Sequence, residues 1–131
     1  MDLKLKTHTT FMNLAKDLEA TEHTLTIQKP QYNMMGSEIV SAIAKAKAGA
    51  RGLAICVAAP ECTFTYSQLM EQPQIQEKWH RFQAARTMYF ASAEPVMVVA
   101  QPFQSSVLEL RQAIKQARIN MGLPGDDETD Y

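Results

Sequence analysis

The side chains that most often carry out enzyme chemistry are few in this chain and scattered along it. The two cysteines are Cys56 and Cys62, and the three histidines are His8, His23 and His80. Cys62 with His80 would pair a nucleophile with a base, but no spacing in the sequence places them together. A Cys-x5-Cys spacing without a nearby histidine matches no zinc motif, and two cysteines make no disulfide framework. We therefore predict no catalytic residue, no metal site and no cofactor.

One segment supports a second hypothesis, that of a ligand pocket. Pro60, Glu61 and Cys62 directly follow the longest apolar run of the chain, and a pocket at the end of such a run is a common place for a ligand. This hypothesis makes the protein a small ligand-binding or enzymatic domain. It requires polar groups and a shifted pKa in a well-formed pocket.

A basic stripe and an acidic tail could bind each other in neighbouring subunits. Arg111, Lys115 and Arg118 follow one another at i, i+4 and i+7, which places them along one side of a helix. The tail contains four carboxylates and no base, and cannot bury enough surface to order by itself. Either the tail docks on a neighbouring subunit, or both charged segments are simply solvated. The tail residues in this prediction are Asp126, Asp127, Glu128, Asp130 and Tyr131.

A predicted loop over residues 30–36 is a further interface candidate. Tyr32 is followed closely by Met34 and Met35, in a chain with eight methionines. Methionine adapts its shape at low cost, so such a segment is typical of contacts between proteins. Filling a gap beneath a loop is the alternative.

Composition limits the class of partner. The formal net charge is −1, which argues against a general nucleic-acid or membrane-surface binder. A nucleic-acid adaptor would need Arg81, Arg86 and the three basic residues of the stripe on one surface. The longest apolar run, residues 53–59, is far shorter than a membrane span, and residues 1–6 do not resemble a signal peptide. We therefore predict a cytoplasmic protein, or one incorporated in a virion assembled in the host cytoplasm.

Four segments have the apolar period of an amphipathic helix. The first is expected to end near Ala20, the second to run from the N-cap Ser37 to the glycines Gly49 and Gly52, and the third to open at Pro73. The capping box of Ser106 and Glu109 should begin the last helix. The predicted buried stripes are Phe11, Leu14, Ala15 and Leu18; Ile39, Ile43, Ala46 and Ala50; Ile75, Trp79 and Phe82; and Val107, Leu110, Ile114, Ala117 and Met121.

Short β-branched or apolar runs between these segments predict strands. Residues 2–6, 24–28 and 63–66 alternate in polarity, residues 53–59 are continuously apolar, and residues 87–90 and 96–100 could form a hairpin. The predicted fold is a single α+β domain over residues 1–125, with a four- or five-stranded mixed sheet covered by amphipathic helices. The acidic tail, residues 126–131, follows this domain.

This order of elements resembles that of the tail-terminator and tail-completion proteins of tailed bacteriophages. The likeness is one of architecture and spans most of the chain. It is carried by the apolar stripe of residues 11–18, the predicted strands around Leu25, Ile55 and Val98, and the closing helix from Val107 to Met121. It implies a ring-forming protein that joins tail to neck, with no enzymatic residues to carry over.

The sequence therefore predicts a non-enzymatic structural or assembly protein. It would act as a subunit of a homo-oligomer or of a larger complex, and the resemblance extends this to a tail or neck component of a phage virion. Its partners would be copies of itself or other subunits of the assembly, and neither a membrane nor a nucleic acid is expected among them.

Overall fold

Four α-helices make up most of the part of the chain that the structure describes. The computed structural model describes residues 3–33, 37–59, 74–93 and 96–121. Helix α1 spans Leu3–His23, α2 spans Ser37–Ala58, α3 spans Ile75–Ala91 and α4 spans Met97–Asn120. After α1, a π-helical turn over Thr24–Gln28 and a 3-10 turn over Pro30–Tyr32 lead towards α2.

The prediction of an α+β fold with a mixed sheet is wrong, because the described residues contain no strand. Residues 3–6 belong to α1, residues 24–28 form the π-helical turn, and residues 53–58 are the last turns of α2. The expected hairpin of residues 87–90 and 96–100 is instead the end of α3 and the start of α4. The strand predicted for residues 63–66 lies outside the described residues.

Three of the misassigned segments, residues 24–28, 53–58 and 87–90, extend the apolar stripe of a helix that the sequence predicts. Leu25 is buried seven residues after Leu18, and Tyr89 is buried seven residues after Phe82. In α2 the buried positions continue from Ala50 to Leu53, Ala54 and Val57, while Ile55 is 70 % exposed. A seven-residue apolar run can be strand or helix, and the one-sided burial of this run is that of a helix.

Threonines that would favour strands are accommodated in the helices by local hydrogen bonds. The hydroxyl of Thr21 donates to the carbonyl of Asp17 at 2.9 Å, and that of Thr24 donates to the carbonyl of Ala20 at 3.0 Å. Thr26 and Thr87 make the same bond to the carbonyl four residues earlier. This bond satisfies the hydrogen-bonding capacity of the hydroxyl within the helix. The β-branched threonines here therefore do not indicate a strand.

Helices α1 and α2 pack as an antiparallel pair. Near the start of α1, His8 donates from Nδ1 to the carbonyl of Ala54, late in α2, at 2.8 Å. Near the end of α1, Glu22 accepts from Lys47 at 2.8 Å. The start of α1 therefore lies beside the end of α2, and the end of α1 lies beside the middle of α2.

Helices α3 and α4 form a second antiparallel pair, called here the α3–α4 hairpin. Its centre is aromatic: the ring of Phe103 stacks on Phe82 and Tyr89, with centroids 5.9 and 5.1 Å apart. At the other end of the hairpin, Lys78 donates to Glu109 at 2.8 Å.

The two pairs join along α2 and α4, which run parallel. The Tyr32 hydroxyl, just before α2, donates to the carbonyl of Ser92, just before α4. Further along, a Cβ added at Gly49 would lie 2.8 Å from Cγ2 of Ile114. The predicted end of α2 at Gly49 and Gly52 is therefore wrong, because these glycines lie inside the helix. They bring α4 close to α2, which a larger side chain would prevent.

Candidate interaction surface

Tyr32, predicted as an interface residue, lies in the core. It is 6 % exposed, and its ring meets Tyr89 edge-on at 5.1 Å and Phe90 at 5.4 Å. Its backbone carbonyl accepts from the Tyr89 hydroxyl. Tyr32 therefore fastens the α1–α2 pair to the α3–α4 hairpin and offers little surface to another chain. The neighbouring candidates Met34 and Met35 lie outside the described residues.

The three residues of the basic stripe lie in different environments. Arg118 is 7 % exposed, and its guanidinium covers Gly52 on the face of α4 that packs against α2. Arg111 and Lys115 are half-buried. The periodicity of the sequence predicts which side of the helix Arg118 is on. It does not predict that small residues of α2 leave room for the side chain to be buried there. The tail residues Asp126, Asp127, Glu128, Asp130 and Tyr131 lie outside the described residues.

The side chains considered for catalysis remain apart where the structure describes them. Cys56 is half-buried in α2, His8 bonds to the backbone of α2, and His23 and His80 are exposed on different helices. Within residues 3–33, 37–59, 74–93 and 96–121, no group of three histidine, cysteine or acidic side chains is placed to hold a metal ion. Residues 60–62, the basis of the pocket hypothesis, fall outside these ranges.

The five basic residues of the nucleic-acid hypothesis do not share one surface. Arg86 bonds to Asp17 of α1 at 2.5 Å, whereas Arg81 lies on the other side of α3, 3.7 Å from Glu109 of α4. With Arg118 buried against α2, the residues are distributed over separate sides of the bundle.

A polar cluster joins α1 and α3. The two helix pairs therefore meet along this seam as well as along α2 and α4. The carboxylate of Asp17 accepts from Trp79 Nε1 at 2.8 Å as well as from Arg86. Arg86 also donates to the Thr21 hydroxyl at 3.0 Å, and its guanidinium lies 5.1 Å from the centre of the Phe82 ring. Each polar group has a partner within the bundle, so this cluster is a structural contact between helices.

The ion-paired end of the α3–α4 hairpin forms an open groove of about 300 Å³. It is lined by Lys78, Glu109, Gln112, Ala113 and Gln116. The hydrogen bond from Lys78 lowers the pKa of Glu109, burial opposes this, and the charges of Lys78 and Arg81 lower it further. The lysine and carboxylate already neutralise each other, so the groove presents little net charge to a ligand.

Exposed apolar side chains are concentrated on the α3–α4 hairpin. Of the nine large apolar residues exposed in the described part of the chain, six lie in or beside this hairpin. They are Met88, Val96, Met97, Val98, Leu108 and Ile119. Single exposed apolar residues are ordinary, but a concentration on one side of a molecule is typical of a binding surface.

Two of these residues continue the line along which α3 meets α4. Met88 is seven residues after Arg81, and Val98 is eleven residues before Glu109, so each lies on the same side of its helix as the corresponding charged residue. Since Arg81 reaches Glu109 across the hairpin, Met88 and Val98 lie on this same side of the hairpin, further along from the ion pair. They are 66 % and 77 % exposed, and Ala84, Ala91 and Pro102 beside them are exposed as well.

Three of the other four residues define a stripe on the side of α4 turned away from the core. Met97, Leu108 and Ile119 are spaced eleven residues apart, which is close to three helical turns, and are 43 %, 46 % and 47 % exposed. Gln101, Gln104, Gln112 and Lys115 lie between them. We call these seven residues the outer α4 face. The spacing is visible in the sequence, but it was missed because residues 96–100 were assigned to a strand.

No α-helix within the described residues has both the length and the apolar character that crossing a bilayer requires. In comparisons with known proteins, no protein-family model, no curated protein and no solved structure matches this chain.

Proposed function

We propose that this protein is a non-enzymatic assembly subunit that associates with copies of itself through the outer surface of its α3–α4 hairpin. The observation that carries the proposal is the concentration there of six exposed large apolar residues. Burying such side chains contributes about 1.5–3 kcal/mol each when the burial is complete. A surface of this kind is stabilised by contact with another protein.

The α1–α2 pair is less suited to this role. Its exposed large apolar residues are Leu5, Ile27 and Ile55. Ile27 follows α1 and Ile55 lies late in α2, so the two residues are at opposite ends of the bundle. Between them the surface carries the exposed ion pair of Arg51 with Glu19, which would lose hydration if it were covered.

The surface around Met88 and Val98 also has little charge to oppose self-association. Met88 and Val98 are flanked by alanines and a proline, and the charged residues at the far end are paired within the chain. When an uncharged patch meets a copy of itself, no like charges are brought together.

The test is the mass of the purified chain in solution, measured by light scattering over a range of concentrations. We expect a defined oligomer that dissociates on dilution. Replacing both Met88 and Val98 with serine should shift dissociation to higher concentration, because the variant loses apolar area at the contact.

A matched control is the pair Ile27→Ser and Ile55→Ser. These residues are 67 % and 70 % exposed, close to the values for Met88 and Val98, but lie on the other helix pair. The control variant should assemble as the natural chain does. A chain that stays monomeric at every concentration would refute the proposal, and equal effects of the two variants would remove the hairpin from it.

Assembly through the hairpin requires neither a virion nor the acidic tail. The resemblance to phage tail-terminator proteins included strands at Leu25, Ile55 and Val98, all of which are helical here. A role in a virion stays a prediction, as does a contact through the acidic tail. Deleting residues 124–131 would test the tail, since weaker assembly is expected if it docks on a neighbour.

A further inference from the structure

We infer that the partner on the outer α4 face is the same face of a second copy, with the two α4 helices antiparallel and Leu108 on the two-fold axis. This inference rests on the proposed function and adds to it a pairing geometry. It assigns each residue of the outer α4 face to a named counterpart.

The spacing of the apolar residues makes a continuous contact geometrically possible. Eleven residues are just over three turns of an α-helix, so Met97, Leu108 and Ile119 lie almost in line along α4. The line is about 33 Å long at 1.5 Å per residue. This spacing therefore keeps the three residues on one side of α4 with little supercoiling.

An antiparallel two-fold pairing matches this face with itself. Leu108 meets Leu108, and because Met97 and Ile119 are equally distant from it in sequence, each meets the other in the partner. By the same symmetry Gln104 lies opposite Gln112, whose side-chain amides can donate and accept in turn. Every apolar residue of the face thus meets an apolar residue, as an isologous interface requires.

The position of the single charged residue on this face selects the antiparallel direction. In an antiparallel pair Lys115 lies opposite Gln101, whose amide oxygen can accept from it. In a parallel two-fold pair each residue faces its own copy, so Lys115 would lie opposite Lys115. Opposed like charges at an interface are destabilising.

Disulfide crosslinking between engineered cysteines tests the geometry. Met97→Cys, Leu108→Cys and Ile119→Cys are each made in a chain that also carries Cys56→Ala and Cys62→Ala. The variants are incubated in a glutathione redox buffer, so that only cysteines held close together form a bond. Circular dichroism confirms that each variant keeps its helical content, and the products are separated without reducing agent.

We expect Leu108→Cys alone to form a covalent dimer of twice the chain mass. Met97→Cys and Ile119→Cys should each stay largely uncrosslinked, and mixing the two should produce the covalent dimer. As a control, Ile55→Cys, on the outer side of α2, should not crosslink.

The other outcomes distinguish the inference from the function on which it rests. Crosslinking of all three single variants on their own would show a parallel pair and overturn the inference. An oligomer seen by light scattering without crosslinking at Leu108→Cys would overturn it too, while the proposed assembly function stands. A monomer in both measurements would overturn the two together.

Discussion

Gly49 lies where α4 passes closest to α2, and the space beside its Cα is already occupied. A Cβ at this position would lie 2.8 Å from Cγ2 of Ile114, a branched side chain that is itself buried. Alanine would gain about 1 kcal/mol of helix propensity, but overpacking a tight contact costs about 1–3 kcal/mol. We expect Gly49→Ala to lower the free energy of unfolding by about 1 kcal/mol, measured by chemical denaturation.

Gly52 supplies the control for this prediction. An added Cβ there meets Nη1 of Arg118, the far end of a flexible side chain. Because the guanidinium can move aside, Gly52→Ala should change the free energy of unfolding less than Gly49→Ala does. Equal losses at the two positions would show that the close approach of α4 to α2 does not depend on Gly49.

The lowered pKa of Glu109 links stability to pH. The carboxylate accepts from Lys78 in the folded chain, which holds its pKa below the ordinary value of about 4.3. The stabilisation is therefore complete above the ordinary pKa and is lost as the pH falls through the lowered one. Since the Glu109 side chain is 45 % exposed, we expect a small contribution, typical of surface pairs at about 0.2–1 kcal/mol.

The measurement is the unfolding free energy of the natural chain and of Lys78→Gln at pH 7 and pH 3. The difference between the two proteins should shrink at the lower pH, where Glu109 becomes protonated. Lys16→Gln, at an exposed position of α1, should show no comparable change between the two pH values. A difference for Lys78→Gln that is independent of pH would contradict the assigned role of the pair.

At the scale of whole elements, the seam between α1 and α3 depends on a few long side chains. Asp17 accepts from both Trp79 and Arg86, and its side chain is only 20 % exposed. Removing the carboxylate leaves two donors without this acceptor in a poorly hydrated position. We expect Asp17→Ala to lower the free energy of unfolding by about 2–3 kcal/mol.

The exposed pair of Glu19 and Arg51 provides a comparison on the same helix. Both side chains are about half exposed, so Glu19→Ala should cost less than about 1 kcal/mol. In a double-mutant cycle, Asp17→Ala and Arg86→Ala together should cost less than the sum of the separate losses. If Asp17→Ala costs no more than Glu19→Ala, the polar cluster does not hold the seam.

For the whole molecule, salt distinguishes an apolar contact from a charged one. Assembly through Met88, Val98 and the outer α4 face should be nearly unchanged between about 0.05 and 0.5 M sodium chloride, because apolar burial is not screened. Docking of the acidic tail on the basic stripe would instead weaken steeply over this range. Light scattering at fixed protein concentration measures the difference. Dissociation at high salt would contradict an interface that is mainly apolar.

The sequence by itself determined four helical segments and which side of each is buried, although the last helix begins at Met97 and not at the predicted capping box of Ser106. The predicted stripes through Phe11, Ile43, Phe82 and Ile114 are buried, apart from Trp79 and Met121, which are half-buried. A period of 3.6 residues over several turns is typical of a helix. Ser37, predicted as an N-cap, is the first residue of α2. The six exposed apolar residues were also present in the sequence, but their exposure depends on which sides of the helices pack together.

Tertiary structure decided whether the short apolar and β-branched runs form strands or helices, and it thereby decided the fold class. Residues 53–58 satisfy the local preferences of a strand as well as those of a helix, and packing of α1 and α4 against one side of α2 selects the helix. The glycines at 49 and 52 end helices in many proteins, and only the position of α4 shows that they serve close packing here. Local sequence sets conformational preferences of about 1 kcal/mol per residue. Burial of apolar side chains across the whole bundle contributes more free energy than these local preferences, and therefore decides between helix and strand.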